Sequence, residues 1–343
     1  MEKSIANLNF QIRELDYNKR NGNLNIKASS IVKSNKFFPT YIINNKNYIF
    51  KPLSKTKPLT TTMFSYAEVV WSYIFNTYFC NAPLYQLAIC NGYEENEEKY
   101  YDYGCLVENI LKENEHLVNL YEYFKENKDN NVEIDDYINY CMLFYDYTNI
   151  LSSKIFKENK NLNDKLVMQI LLSILSINQN FHYENIAFIC NDKNEILDLA
   201  PPIDHEFSNY FLFPEDKKEH TTHYLAFLKQ FETKESIIVK NLDYIKKHHS
   251  DVVVDFLKKL EILKNDLISN KNSFIFYDFG FVQSGNSFSY MIGKSRYKEN
   301  DETSAKIYET IFKPKPIDVK EVNQLFLKEL LNVVQLLENY FKN

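Results

Sequence analysis

Between residues 178 and 204 the sequence sets amide, imidazole and carboxylate side chains at intervals suited to phosphoryl transfer. Asn178, Asn180, His182 and Asn185 fall in NQNFHYEN, and Asp204 follows in APPIDHE. Moving a phosphoryl group from ATP asks little covalent work of a protein. It needs a cation on the phosphates, carboxylate and amide oxygens on a metal ion, and a group that orients the acceptor hydroxyl. Upstream, Lys51 in YIFKP offers the cation and Glu68 in SYAEVV a carboxylate to hold it. Singly, each is an ordinary surface residue. A strand Lys followed by a helix Glu is the more specific signal.

Those residues need elements to place them. PTYIINNKNYIFKP (39–52) is two β-branched and aromatic runs joined by NNKN, which predicts a hairpin with Lys51 on its second strand. LYQLAIC (84–90) and YYDYGCLVENI (100–110) flank an acidic turn and predict a second hairpin. Between them TMFSYAEVVWSYIFNTYF (62–79) carries Tyr66, Val69, Val70, Tyr73 and Ile74 at helical spacing, with Glu68 beside that stripe.

After about residue 110 the pattern turns helical. Helices are predicted over 132–151, over 162–177 with Asn163 as N-cap, and over 223–231, 251–267 and 318–341. One hairpin interrupts them: NIAFIC (185–190) and EILDLA (195–200) joined by NDKN. It would return the chain to deliver Asp204 beside Asn185. The fold class expected is α+β in two lobes, a small mainly-β lobe over 1–109 with one key helix and a helical lobe over 110–343.

The pattern N-x-(D)-x-H-x-x-N, followed by P-x-x-D, resembles the HipA-type serine/threonine kinases, including their short members. The likeness covers the lobe order and segments 29–54, 62–79, 100–112 and 162–208. It implies a bilobal protein-kinase-like fold, ATP and Mg²⁺ as cofactors, and a protein Ser/Thr hydroxyl as acceptor. By resemblance Lys51 holds the phosphates and Glu68 pairs with it. Glu108, Asn109 and Ile110 form the hinge that binds adenine through backbone groups, and Asn185 and Asp204 hold the metal. The stretch ASSIVKSNK (28–36) sits where the family has its phosphate loop. That gives Ser30 and Lys33 a cofactor-binding role and makes Ser29, Ser30 and Ser34 candidates for autophosphorylation. An antitoxin-like or host protein partner belongs to the same resemblance.

Two departures count. The residue before the motif histidine is commonly Arg in the family and is Phe181 here. The catalytic Asp position holds Asn180, whose amide keeps the carboxylate's shape but accepts no proton. Three accounts stand: an engineered Asp→Asn change, a native pseudokinase that binds nucleotide as an interaction module, or His182 or His205 serving as base. A small-molecule phosphotransferase is a further rival. It fits less well, because such enzymes place His two residues before the catalytic position, which is Asn178 here.

Other motifs carry less. Asp278-Phe279-Gly280 lies far beyond the usual spacing, in an aromatic run that reads as a hairpin or an extended insertion. His220 and His223 lack a third ligand at convincing spacing and read as a loop and a helix start. His248 and His249 end a polar helix and read as solvated. A net charge of -6 and a pI near 5.8 argue against general binding to nucleic acid or anionic membrane. Five scattered cysteines without a C-x-x-C pair suit a reducing compartment. With no signal-peptide pattern or long apolar run, a cytoplasmic protein is expected, a translocated effector being the variant on that theme.

Overall fold

The computed structural model describes residues 4, 13–27, 35–52, 60–95, 98–127, 132, 144–178, 181–205, 208, 217–270 and 319–342. Asn180, the stretch 28–34 and the 274–282 run lie outside these residues.

The first two hairpins form as expected and join one sheet. Its strands are β1 (Arg13–Asp16), β2 (Gly22–Lys27), β3 (Asn35–Ile43), β4 (Lys46–Pro52), β5 (Tyr85–Glu95) and β6 (Glu98–Glu108), in the order β1-β5-β6-β4-β3-β2. Only β1 pairs in parallel, along β5. The turn between β3 and β4 sits on Asn44 and Asn45, with φ of 51° and 61°. Asn tolerates that left-handed backbone, which matches the twist of the flanking strands.

Strand alternation then decides where Lys51 points. Phe50 packs with Leu15, Tyr41, Ala88, Cys90 and Leu106 on one face of the sheet. Leu87, Cys105 and Val107 face the other way, against helix α1 (Thr60–Ile74) and its buried Ala67, Val70 and Ile74. Ile49 joins that second cluster, so Lys51, two residues on, shares the helix-facing side. Helix α1 widens into a π-helical turn over Phe75–Phe79, closed where the Cys80 N–H donates to the Phe75 carbonyl at 2.8 Å.

A second, three-stranded sheet follows. β7 (Glu115–Asn119) pairs with β8 (Ala187–Asn191), and β8 with β9 (Ile196–Leu199). The predicted 185–200 hairpin is therefore present, turned on Asn194 at φ 60°. β7 and the short helix α2 (Leu120–Glu126) have no counterpart in the sequence reading. Helices α3 (Thr148–Leu151), α4 (Lys154–Glu158), α5 (Lys160–Leu175), α6 (Lys217–Glu232), α7 (Ile237–His248), α8 (Ser250–Ser269) and α9 (Val319–Lys342) complete the α+β chain.

Three expectations need correcting. The helix predicted over 132–151 is not helical at 144–147, where Asn241 of α7 takes over the backbone. Its side-chain oxygen accepts the Tyr147 N–H at 2.9 Å and its amide donates to the Tyr145 carbonyl at 2.8 Å. The cap of α5 is Asn159, which accepts the Leu162 N–H at 3.1 Å. Asn163 is buried inside that helix and donates to the Phe156 carbonyl at 3.1 Å. Helix α6 begins at Lys217, so His220 and His223 both lie within it.

One hydrophobic cluster runs from α1 and the sheet through α5 and α8 to Phe326, Leu330 and Val334 of α9. No helix among the described residues is long and apolar enough to cross a membrane.

Candidate active site

Three separate elements bring their ionisable groups to one point. Lys51 from β4 donates to Glu68 Oε1 of α1 at 2.6 Å and to Asp204 Oδ1 from the loop after β9. Glu68 is 1% exposed, so its charge depends on these partners. Its second oxygen accepts the backbone N–H of His205 at 2.8 Å. Lys51 and Asp204 keep about a quarter of their side-chain surface open, with both at 24%. The cluster is thus anchored on the helix side and accessible on the other. Burial alone would raise the Asp204 carboxyl, but the Lys51 ammonium beside it overrides that and holds it below the ordinary carboxylate value. Tyr85 lies against the same charges, and its burial pushes the phenol well above its usual value.

The backbone is strained at both loops. Ile177 has φ 50° and Asp204 φ 62°. For a β-branched residue such as Ile177 this backbone costs about 1–2 kcal/mol or more, whereas Asp tolerates it better. Such strain gathers where a side chain must be aimed. At Ile177 it turns the chain out of α5, whose end is closed by the Asn178 N–H on the Ser173 carbonyl at 2.8 Å. Asn178 then pairs in a bridge with Ser208 and donates to the Asp204 carbonyl at 3.4 Å, tying the two loops together.

Beneath the 181–185 loop lies an aromatic platform that sequence reasoning missed. The Tyr147 hydroxyl donates to the Phe181 carbonyl at 2.7 Å, and the Tyr183 hydroxyl to the Asp146 carbonyl at 2.9 Å. The Tyr147 ring meets Phe181 at 5.3 Å and Tyr183 at 5.4 Å. Aromatic packing of Phe181 on Tyr147 holds the loop. A legible signal did exist: Asn241 interrupts the apolar stripe of α7 and is buried. His182 lies on Tyr145, accepts the Glu184 N–H on Nδ1 at 3.2 Å, and has its pKa lowered by burial. The Asn185 N–H donates to the His182 carbonyl at 2.9 Å.

His205 sits deeper, at 2% exposure. Burial pushes its pKa down to about 4, against the pull of Asp204. Its ring packs edge-on against Phe75 and Tyr85.

Residues 108–110 end the sheet. The Asn109 N–H donates to the Asn47 carbonyl at 2.8 Å, and the Leu111 N–H to the Asn109 side chain at 3.1 Å. The Glu108 carboxylate pairs with Lys46 at 2.8 Å. A cavity of about 1290 Å³ reaches this crossing, and neither Lys51 nor Asp204 lines it. Its Tyr48 and Leu106 walls belong to the sheet face opposite Lys51. Among the described residues no three His, Cys, Asp or Glu side chains are grouped as a metal site.

No protein-family model matches the sequence, and no curated protein does. Among solved structures, the Helicobacter pylori proinflammatory kinase CtkA aligns at a TM-score of 0.42 and 12% identity, over 94% of this chain and 98% of that one. Hydra Fam20, solved with sugar, aligns at 0.40 and 12% identity, over 98% of this chain and 87% of that one. Alignments this loose carry no argument about fold or chemistry, and the geometry of the site stands on its own.

Proposed function

We propose that the chain binds ATP with Mg²⁺ against the helix-facing side of its six-stranded sheet and is a phosphotransferase of the protein-kinase type. One observation carries the reading: a strand ammonium, Lys51, held between a buried helix carboxylate and a loop carboxylate. A cation fixed this way but still partly open is placed to receive phosphate oxygens.

The donor set fits magnesium. Mg²⁺ is usually held by one or two carboxylates together with phosphate oxygens and water, so a three-carboxylate cage is not needed. Asp204 and the amide oxygen of Asn185 would hold it, and when bound it neutralises charge on the transferring phosphoryl group. Glu68 keeps Lys51 in place. With the Asn109 and Leu111 N–H groups engaged, adenine recognition falls to the backbone of Glu108 and Ile110. A Ser/Thr hydroxyl on a protein as acceptor, an antitoxin-like or host partner, and a cytoplasmic site of action belong to the same reading.

Asn180 limits it. An amide cannot take the acceptor's proton, and losing a positioned base costs on the order of 10²–10⁴ in rate. The test compares this chain with Asn180→Asp, each incubated with labelled ATP and Mg²⁺. Labelling by Asn180→Asp at least about a hundredfold above this chain is expected. If neither version binds ATP, the reading fails. Tight binding without transfer in both would establish the second reading that Asn180 favours, a nucleotide-binding pseudokinase.

A further inference from the structure

Asp204 stands in the left-handed backbone region, at φ 62°, which Asp tolerates better than most L-residues but seldom adopts without local support. The contacts that fix the turn beside it converge on His205. Its backbone N–H donates to Glu68 Oε2 at 2.8 Å. Its Nε2 lies 3.2 Å from the Pro202 carbonyl, an acceptor only, which makes Nε2 the protonated nitrogen. Its ring stands edge-on to Phe75 at 5.0 Å and to Tyr85 at 6.4 Å. The other nitrogen, Nδ1, is buried with no partner among the described residues. A histidine chosen for packing alone gains nothing from that orphaned nitrogen, because an apolar ring would fill the space without its desolvation cost.

We infer that His205 is a positioning residue for metal-nucleotide binding. Through Nε2 it clasps the 202–205 turn shut, and through its N–H it docks that turn on α1, so that the Asp204 carboxylate faces Lys51. Glu68 is then the common acceptor for the cation and for the turn, and α1 and the Asp204 loop are held as one unit. The inference rests on the proposed nucleotide site and adds a residue that does not touch the ligand.

The experiment measures binding of a fluorescent ATP analogue with and without Mg²⁺ in the intact chain and two variants, with a thermal melt of each. His205→Phe keeps the ring contacts and the backbone N–H but loses the clasp. His205→Gln keeps an N–H donor for Pro202 and loses the ring. Metal-free binding is expected to be alike in all three. The tightening produced by Mg²⁺ is expected to fall about fivefold to tenfold in His205→Phe, the size of one lost hydrogen bond, and to be restored in His205→Gln. Unchanged Mg²⁺ dependence in His205→Phe overturns the inference while leaving the nucleotide site intact. Equal loss in both variants, or melts showing that neither folds, assigns His205 to packing and also overturns it. If the unaltered chain binds no nucleotide, the proposed function and this inference fall together.

Discussion

Lys51 has a structural role beside the binding role proposed for it, because its loss removes the ammonium that Glu68 and Asp204 share. Glu68 is almost fully buried, and breaking such a pair from one side costs about 3–5 kcal/mol. Lys51→Met should therefore abolish nucleotide binding and also lower stability, whereas Lys51→Met with Glu68→Gln should recover much of the stability and none of the binding. Urea unfolding beside an ATP-binding titration separates the two effects, and full stability in Lys51→Met alone would contradict the buried-charge account. A different residue-scale prediction concerns Cys80. Burial pushes its thiol up to about 12, and Lys259 nearby only partly offsets that. At pH 8 its thiolate is then scarce, so alkylation of Cys80 should run about a thousandfold slower in the folded chain than in urea. Peptide-resolved mass spectrometry reads this directly, and equal rates would refute it.

At the scale of elements, the loop that carries His182 and Asn185 is held by pieces distant in sequence. Asn241→Leu leaves the Tyr147 N–H and the Tyr145 carbonyl buried without their partner, which should cost about 2–3 kcal/mol and loosen hydrogen exchange at residues 145–147. Local signals were read well where chemistry and periodicity agreed. Asn-rich or acidic turns between β-branched and aromatic runs gave the hairpins, and apolar spacing gave α1, α5, α8 and α9. The order of Lys51, Glu68 and Asp204 was legible, and the structure places all three in contact. What was hidden had tertiary causes. Residues 144–147 carry a helical pattern, but Asn241 from ninety-odd positions away claims their backbone. Asn163 resembles a cap, yet Asn159 supplies it one turn earlier while Asn163 bonds to the Phe156 carbonyl. Asn159→Ala should accordingly cost about 1 kcal/mol in denaturant unfolding, the usual worth of an N-cap, and no loss there would return the cap to Asn163. The placement of His205 was equally hidden, because only the packed structure shows its imidazole against Phe75 and Tyr85.

For the molecule as a whole, the question is whether the sheet-bearing part and the helical part hold together without a ligand. The buried cluster does not stop where the chain crosses between them near residue 109. Val70, Trp71 and Ile74 of α1 share it with Leu166 of α5, Leu260 of α8 and Phe326 of α9. Trp71 is the single tryptophan of the chain, has no exposed surface, and meets Phe75 at 5.6 Å and Phe326 at 6.1 Å. Its emission therefore reports on the contact between the helix that carries Glu68 and the last helix of the chain. Far-UV circular dichroism reports mainly on the other helices. If one core serves both parts, the two signals should follow a single urea transition with the same midpoint. A Trp71 red shift at lower urea, with helical signal intact, would mean that α1 leaves the helical part before it unfolds. Phe326→Ala sharpens the comparison, since it empties a fully buried site in that contact and should cost about 3–5 kcal/mol. In a single-core molecule it lowers both midpoints together. In a divided one it would move only the Trp71 transition, and Glu68 would then be free to leave Lys51 without global unfolding.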